Sequence, residues 1–326
     1  MTRWAPELPR YPLLDGPSPL QRMSRFSAAI GGGADVWIKR DDLLPFGLGG
    51  SELRSLEFLV GAALAEGADM LVTWGRRWSN LCRLTAAAGA RAGLEVHVVV
   101  SGPPFGPSSA NQRLTEQLGA AVHVASSDEP AELEQLATIV TGELRAGGGR
   151  PYLIAPGGSG VVGAVGHVLA GLELADQAGR RRTTFDMIVV PSPTGLVQAG
   201  LLVGLRLAGS AARVIGVAVA SRPETVTRAV TSLLDELARM TGQPVPPADV
   251  EVDGSELDPG GGRPSRGGDD AIRRLARTEA IFVDPIQTAK ALAWVISAAR
   301  SGALAGQTVA FWHAGGTPAL FERFER

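Results

Sequence analysis

Short apolar runs rich in β-branched residues alternate with helix-patterned stretches along most of this chain, and no other feature narrows its possible folds as much. The segments ADVWIK (34–39), ADMLVTWG (68–75), EVHVVVSG (95–102) and AVHVAS (121–126) are strand length, far too short to cross a membrane. Between them lie stretches with apolar positions at helical spacing, such as LRSLEFLVGAALAEG (53–67) and SNLCRLTAAAGARAG (79–93). Strands joined through helices run parallel and have both faces covered. A second series runs from RPYLIAPGG (150–158) through TTFDMIVVPSPTG (183–195) and RVIGVAVA (213–220) to TVAFWHAGG (308–316). The expected architecture is therefore α/β with two domains: a smaller one over 51–160, inserted into a larger one made of 1–50 plus 161–326. The Gly/Pro/Arg-rich span 253–270 reads equally as a linker or as a loop over a site.

Composition removes several function classes. With 326 residues, 45% hydrophobic and 20% charged, the chain can bury a large core. A formal net charge of -2 gives no reason to expect nucleic acid or an anionic membrane as partner. The single cysteine, Cys82, excludes an intramolecular disulfide and an all-cysteine metal site. His97 and His123 fall in strand patterns and His167 in a helix pattern, without metal-ligand spacing, so no metal is expected. No apolar leader or membrane-length run is found, and a cytoplasmic location is the expectation.

The densest motif is FGLGGSELRSLE (46–57), preceded by WIKRDDLLPFG (37–47). It resembles the loop and helix start of the tryptophan-synthase-β-like (fold-type II) enzymes that use pyridoxal 5'-phosphate (PLP), on the branch of D-cysteine desulfhydrase and 1-aminocyclopropane-1-carboxylate (ACC) deaminase. Those relatives read Lys-Arg-Glu-Asp, a spacer, then Gly-Gly-Asn-Lys-x-Arg-Lys-Leu-Glu, and their second lysine forms the Schiff base with PLP. Aligning Gly49-Gly50, Arg54 and Leu56-Glu57 sets Ser51 on the asparagine and Glu52 on that lysine. A carboxylate cannot form an imine. Only Lys39 and Lys290 remain, and Lys39 falls on a different lysine of the motif. The resemblance thus implies no lysine Schiff base, and no cofactor is expected. As an alternative, Glu52 is simply a solvated acid at a helix start, where the dipole favours it.

The other loops that the resemblance assigns to the site are altered in the same direction. TWGRRWSNLCR (73–83) resembles a Gly-Gly/Ala-Ile-Gln-Ser-Asn loop that receives the substrate carboxylate; Ser79 and Asn80 are kept, while Arg76, Arg77 and Trp78 replace small or neutral residues. Ser79 and Asn80 are equally good helix caps. Arg76 and Arg77 suit an anion, with solvent-facing or interface arginines as the rival reading. VVPSPTGLVQAG (189–200) resembles the PLP phosphate cup: Thr194 and Gly195 remain, but Leu196 and Val197 stand for a glycine and a threonine. In the glycine-rich span 259–279, Gly261 and Arg266 match a site tyrosine and the acid that faces the pyridine nitrogen. Gln287 replaces a tyrosine after Asp284-Pro285, and Ala314 a threonine after His313, which is either a pocket or a core histidine.

Three functions remain open on this reading. In the leading one, the chain is a repurposed PLP-independent enzyme of lyase, isomerase or cyclase type, with Glu52 and Ser79 catalytic and an anionic small molecule as substrate. The others are a non-catalytic pseudoenzyme or ligand-binding partner, and a PLP-binding deaminase or lyase without the covalent lysine link. The resemblance also implies a homodimer.

Overall fold

Valine and isoleucine crowd the strands, because a sheet covered on both faces offers each of them a buried pleat. The computed structural model describes residues 7–101, 109–158, 160–242, 244, 249–258 and 261–322. Six strands form the larger sheet: β1 (Leu20–Arg22), β2 (Asp35–Arg40), β7 (Met187–Pro191), β8 (Arg213–Val217), β9 (Glu251–Asp253) and β10 (Thr308–His313), in the order β1-β2-β10-β7-β8-β9. The smaller sheet has the order β5-β4-β3-β6, from β3 (Met70–Arg76), β4 (Glu95–Ser101), β5 (Ala121–Ala125) and β6 (Pro151–Ile154). Every neighbouring pair is parallel except β1 with β2. The expected α/β class with parallel, helix-covered sheets holds.

The helices are α1 (Ser24–Ile30), α2 (Glu52–Ala65), α3 (Asn80–Ala92), α4 (Ala110–Gln117), α5 (Pro130–Ala146), α6 (Val161–Arg180), α7 (Leu196–Leu207), α8 (Pro223–Thr241), α9 (Arg266–Glu279) and α10 (Thr288–Arg300). Three elements differ from the sequence reading, among them β9, a three-residue strand that pairs with β8 where the sequence suggested none. β1 was not expected; its three residues carry too little pattern, and pairing with β2 creates it. α9 starts three residues before the pattern DDAIRRLARTE (269–279), because the Ser265 hydroxyl caps it by accepting from the Gly268 N–H at 3.0 Å. Among the described residues no helix is long and apolar enough to cross a membrane.

α6 packs closely on both α2 and α7, and glycines make this possible. A Cβ on Gly166 would lie 1.9 Å from the Arg54 carbonyl oxygen of α2. Gly166→Ala is therefore expected to cost about 1–3 kcal/mol, seen as a lower urea midpoint. Gly142→Ala, on the exposed face of α5 with nothing within 4 Å, is expected to be neutral or stabilising by up to about 1 kcal/mol. Equal effects at the two positions would refute the packing argument.

A buried ionic knot holds the start of α2 on the larger sheet. Asp41, fully buried after β2, accepts from Ser18 Oγ (2.7 Å), Ser51 Oγ (2.8 Å), Trp312 Nε1 (3.0 Å) and Arg54 Nε (2.9 Å) and Nη2 (2.8 Å). Arg54 also reaches Glu173 of α6 at 2.9 Å, and Lys39 is bonded to Glu173 as well. Burial alone would raise the Asp41 carboxyl, but Arg54 and Lys39 hold it far below the usual carboxylate range.

Candidate active site

The C-terminal ends of β2, β10 and β7 lie together, and the loop that leads to α2 bonds to the residues that follow β2 and β10. Gly47, Leu48, Gly49 and Gly50 all have positive φ (56°, 67°, 70° and 139°). At Gly49 a Cβ would sit 2.2 Å from the Asp42 carbonyl oxygen, and at Gly50 it would sit 2.7 Å from Glu52 Oε2. The Gly-Gly pair is thus required by both conformation and space. The Ser51 N–H donates to the Ala314 carbonyl at 2.8 Å, which docks α2 onto the end of β10.

Glu52 is the first residue of α2. The residue keeps partial exposure, yet its Oε2 is closed to solvent and has no hydrogen-bond partner. Burial pushes the carboxyl up to about 7; its own backbone N–H and the Arg83 cation pull it down, while Asp284 and Asp41 push it further up. A carboxyl so tuned is half protonated near neutral pH and suits proton transfer in either direction. The alternative of a solvated acid at a helix start does not describe this oxygen.

The loop after β3 holds the second group of expected residues. Ser79 caps α3, its Oγ accepting from the Cys82 N–H at 3.3 Å, and Asn80 Oδ1 accepts from Arg83 Nη2 at 3.4 Å. Arg76 and Arg77 both lie over the Trp78 ring, at 5.8 and 5.7 Å from its centroid. Arg76 is committed within the chain: it donates to the Gly261 carbonyl (3.4 Å) and pairs with Asp128 (3.3 Å). The guanidinium of Arg77 has no ion pair among the described residues. Gly262 has φ 81°, and a Cβ there would lie 2.3 Å from Arg76 Nη1. The segment 261–262 therefore closes directly on the β3–α3 loop.

The remaining expected residues fall in several places. Gly195, at φ 81°, precedes α7, whose first turn has no side-chain cap; Thr194 is half-buried there and Leu196 is buried. Gln287 is half-buried at the start of α10, its N–H held by Asp284 Oδ1 at 2.7 Å. Both ring nitrogens of the buried His313 are used inside the chain: Nε2 donates to the Phe282 carbonyl at 2.7 Å, and Nδ1 accepts from the Gly315 N–H at 3.2 Å. Arg266 is exposed on the first turn of α9. Lys39 donates to the Ser18 carbonyl at 2.6 Å in the ionic knot, and Lys290 to the Leu257 carbonyl at 3.0 Å.

Sequence reasoning gave no role to Arg83. It is a cation on an otherwise apolar face of α3, 1% exposed, and Nη2 donates to the Gly49 carbonyl at 3.0 Å. The one available signal is its place four residues after the cap Ser79, on the helix turn that faces the Gly-Gly loop. The β4–β5 pairing also sets His97 Nδ1 3.1 Å from His123 Nε2, although they lie far apart in sequence. Among the described residues no group of three or more His, Cys, Asp or Glu is arranged to hold a metal.

Comparison with known proteins accounts for nearly the whole chain. The family model "Pyridoxal-phosphate dependent enzyme" matches residues 12–315. A D-cysteine desulfhydrase of Yersinia enterocolitica is 37% identical over 321 residues, covering 97% of this chain and 96% of the relative. A 1-aminocyclopropane-1-carboxylate deaminase of Burkholderia vietnamiensis is 35% identical, with 96% and 95% covered. The crystal structure of an ACC deaminase homologue superposes with a TM-score of 0.88 at 34% identity, covering 97% of this chain and 94% of that one. The expectation that no cofactor serves this chain is corrected by the family match, since the family is that of pyridoxal-phosphate dependent enzymes. The chain belongs to the family of pyridoxal-phosphate dependent enzymes, on its D-cysteine desulfhydrase and ACC deaminase branch.

Proposed function

We propose that this protein is a lyase of that branch which binds PLP without a covalent lysine link and acts on a small amino-acid-like carboxylate, with Glu52 handling the proton that a lysine handles in the relatives. The observation that carries this reading is the unpartnered Oε2 of Glu52, tuned to about 7 at the start of α2. The residues present suit PLP held non-covalently. The uncapped N-terminus of α7, entered through the left-handed Gly195, offers backbone N–H groups to a phosphate. Both lysine amines are engaged within the chain.

When bound, PLP supplies an electron sink for the carbon next to a substrate amino group. The chain's own residues do the rest. Ser79, Asn80 and the start of α3 receive the substrate carboxylate, and Arg77, stacked on Trp78 and without an ion pair among the described residues, adds a cation. Arg76, Trp78 and the segment 261–262 cover that end of the cleft and exclude water. Glu52 takes a proton at Oε2 or returns one, and its value near 7 equips it for both directions. The reading keeps a homodimer in the cytoplasm as its setting, which sedimentation and cell fractionation test.

Titration of the purified protein with PLP is expected to give a saturable absorbance change that inorganic phosphate competes away and that borohydride does not fix to the chain. Sulfide or ammonia release is then measured with D-cysteine and with ACC. No spectral response to PLP would sink the proposal; a band fixed by borohydride would sink the role given to Glu52.

A further inference from the structure

Two buried groups of opposite charge converge on the Gly49–Gly50 loop without touching. Arg83, from the first turn of α3, donates through Nη2 to the Gly49 carbonyl, while its Nε and Nη1 are buried without a partner. Glu52, from the first turn of α2, leaves Oε2 buried and unpartnered against Gly50. No ion pair within 4 Å joins them. Each buried polar atom left unmade costs about 1–3 kcal/mol, so donors and an acceptor that meet over one small loop call for a shared polar group.

We propose that Arg83 is the counter-ion of Glu52, coupled to it through one bridging water over the Gly49–Gly50 loop, and that it is a positioning residue for the proton Glu52 carries. An Arg83 N–H donates to the water oxygen, and the water donates to Glu52 Oε2, a role that water fills at nearly the enthalpy of a direct bond. The charges that bear on Glu52 come from three elements: Arg83 on α3, Asp284 before α10 and Asp41 after β2. Two of these are acids and Arg83 is the cation. Without it, both remaining charges favour the protonated carboxyl. The inference deepens the reading of Glu52 as the proton carrier and rests on it only for its catalytic meaning.

The test follows the carboxylic C=O stretch of Glu52 by infrared spectroscopy against pH, assigned by its loss in Glu52→Gln, on full-length protein checked for folding by circular dichroism. The wild-type midpoint is expected near 7. Arg83→Gln is expected to raise it by about 1–2 units, and Arg83→Lys to hold it within about half a unit of wild type. A folded Arg83→Gln protein with an unmoved midpoint overturns the proposal. If Arg83→Gln does not fold, the charge-removing Arg83→Met is read in its place: a midpoint raised by about 1–2 units supports the counter-ion, and an unmoved one refutes it. A purely structural arginine would leave the midpoint where it is. Because the readout does not involve turnover, absent lyase activity with the expected shifts would sink the functional reading and leave this one standing.

Discussion

Glu52→Gln is expected to be more stable than the wild-type protein at pH 8 and nearly equal to it at pH 5. The ordinary glutamate value is 4.5, and in the folded chain burial lifts it to about 7. Between those values the folded state keeps a proton that the unfolded state has released. The stability tied to that proton is fully present below pH 4.5 and is lost as pH rises through 7. The gap corresponds to at most about 3 kcal/mol, because partial exposure of the residue lets solvent screen part of the cost. A neutral amide of the same shape escapes the loss. Thermal melts of both proteins at pH 5 and pH 8 would show it, with a gain at pH 8 of roughly 5 °C. The same increment at both pH values, or none at either, would mean that Glu52 is not held in a low-dielectric site.

Asp41→Ala is expected to cost the most of any single change in the ionic knot, about 3–5 kcal/mol. Its carboxylate neutralises Arg54 and, with Glu173, Lys39; removing it leaves buried cations and strands the hydroxyls of Ser18 and Ser51 and the Trp312 indole N–H. Those partners come from the N-terminal segment, the loop before α2, α2 itself and β10, so the start of α2 loses its register. Urea unfolding should give a much lower midpoint, and Asp41→Asn should recover only part of the difference because it restores hydrogen bonds and not charge. Its pH dependence runs opposite to that of Glu52. A carboxylate held below its ordinary range stabilises above pH 4 and loses that contribution as pH falls. If Asp41→Ala unfolds within about 1 kcal/mol of wild type, the knot does not anchor α2.

Much of the fold was legible in the chain's own pattern. The alternation of β-branched runs and helical spacing identified β2, β3, β4 and β5 almost to the residue, because a covered parallel strand must be apolar on both faces and a helix on one. β1 was not legible: three residues become a strand only when β2 supplies the hydrogen bonds. Within the site, the Gly-Gly loop and the acid after it could be read from local sequence, since turn geometry and helix starts depend on nearby residues. The Ser79 cap is equally local, its partner lying three residues on, whereas the contact of Arg76 with Gly261 could not be read, because it depends on where another loop comes to rest.

The sequence by itself determined the α/β class, the family's loop motifs and the presence of Glu52 after the Gly-Gly turn, all properties of residues that are neighbours along the chain. Only the tertiary structure decided that Oε2 of Glu52 is buried without a partner, that Arg83 faces the same loop, and that His313 spends both nitrogens on backbone. Burial and electrostatic coupling belong to the space between elements, and a carboxyl's charge at neutral pH follows from what surrounds it in that space.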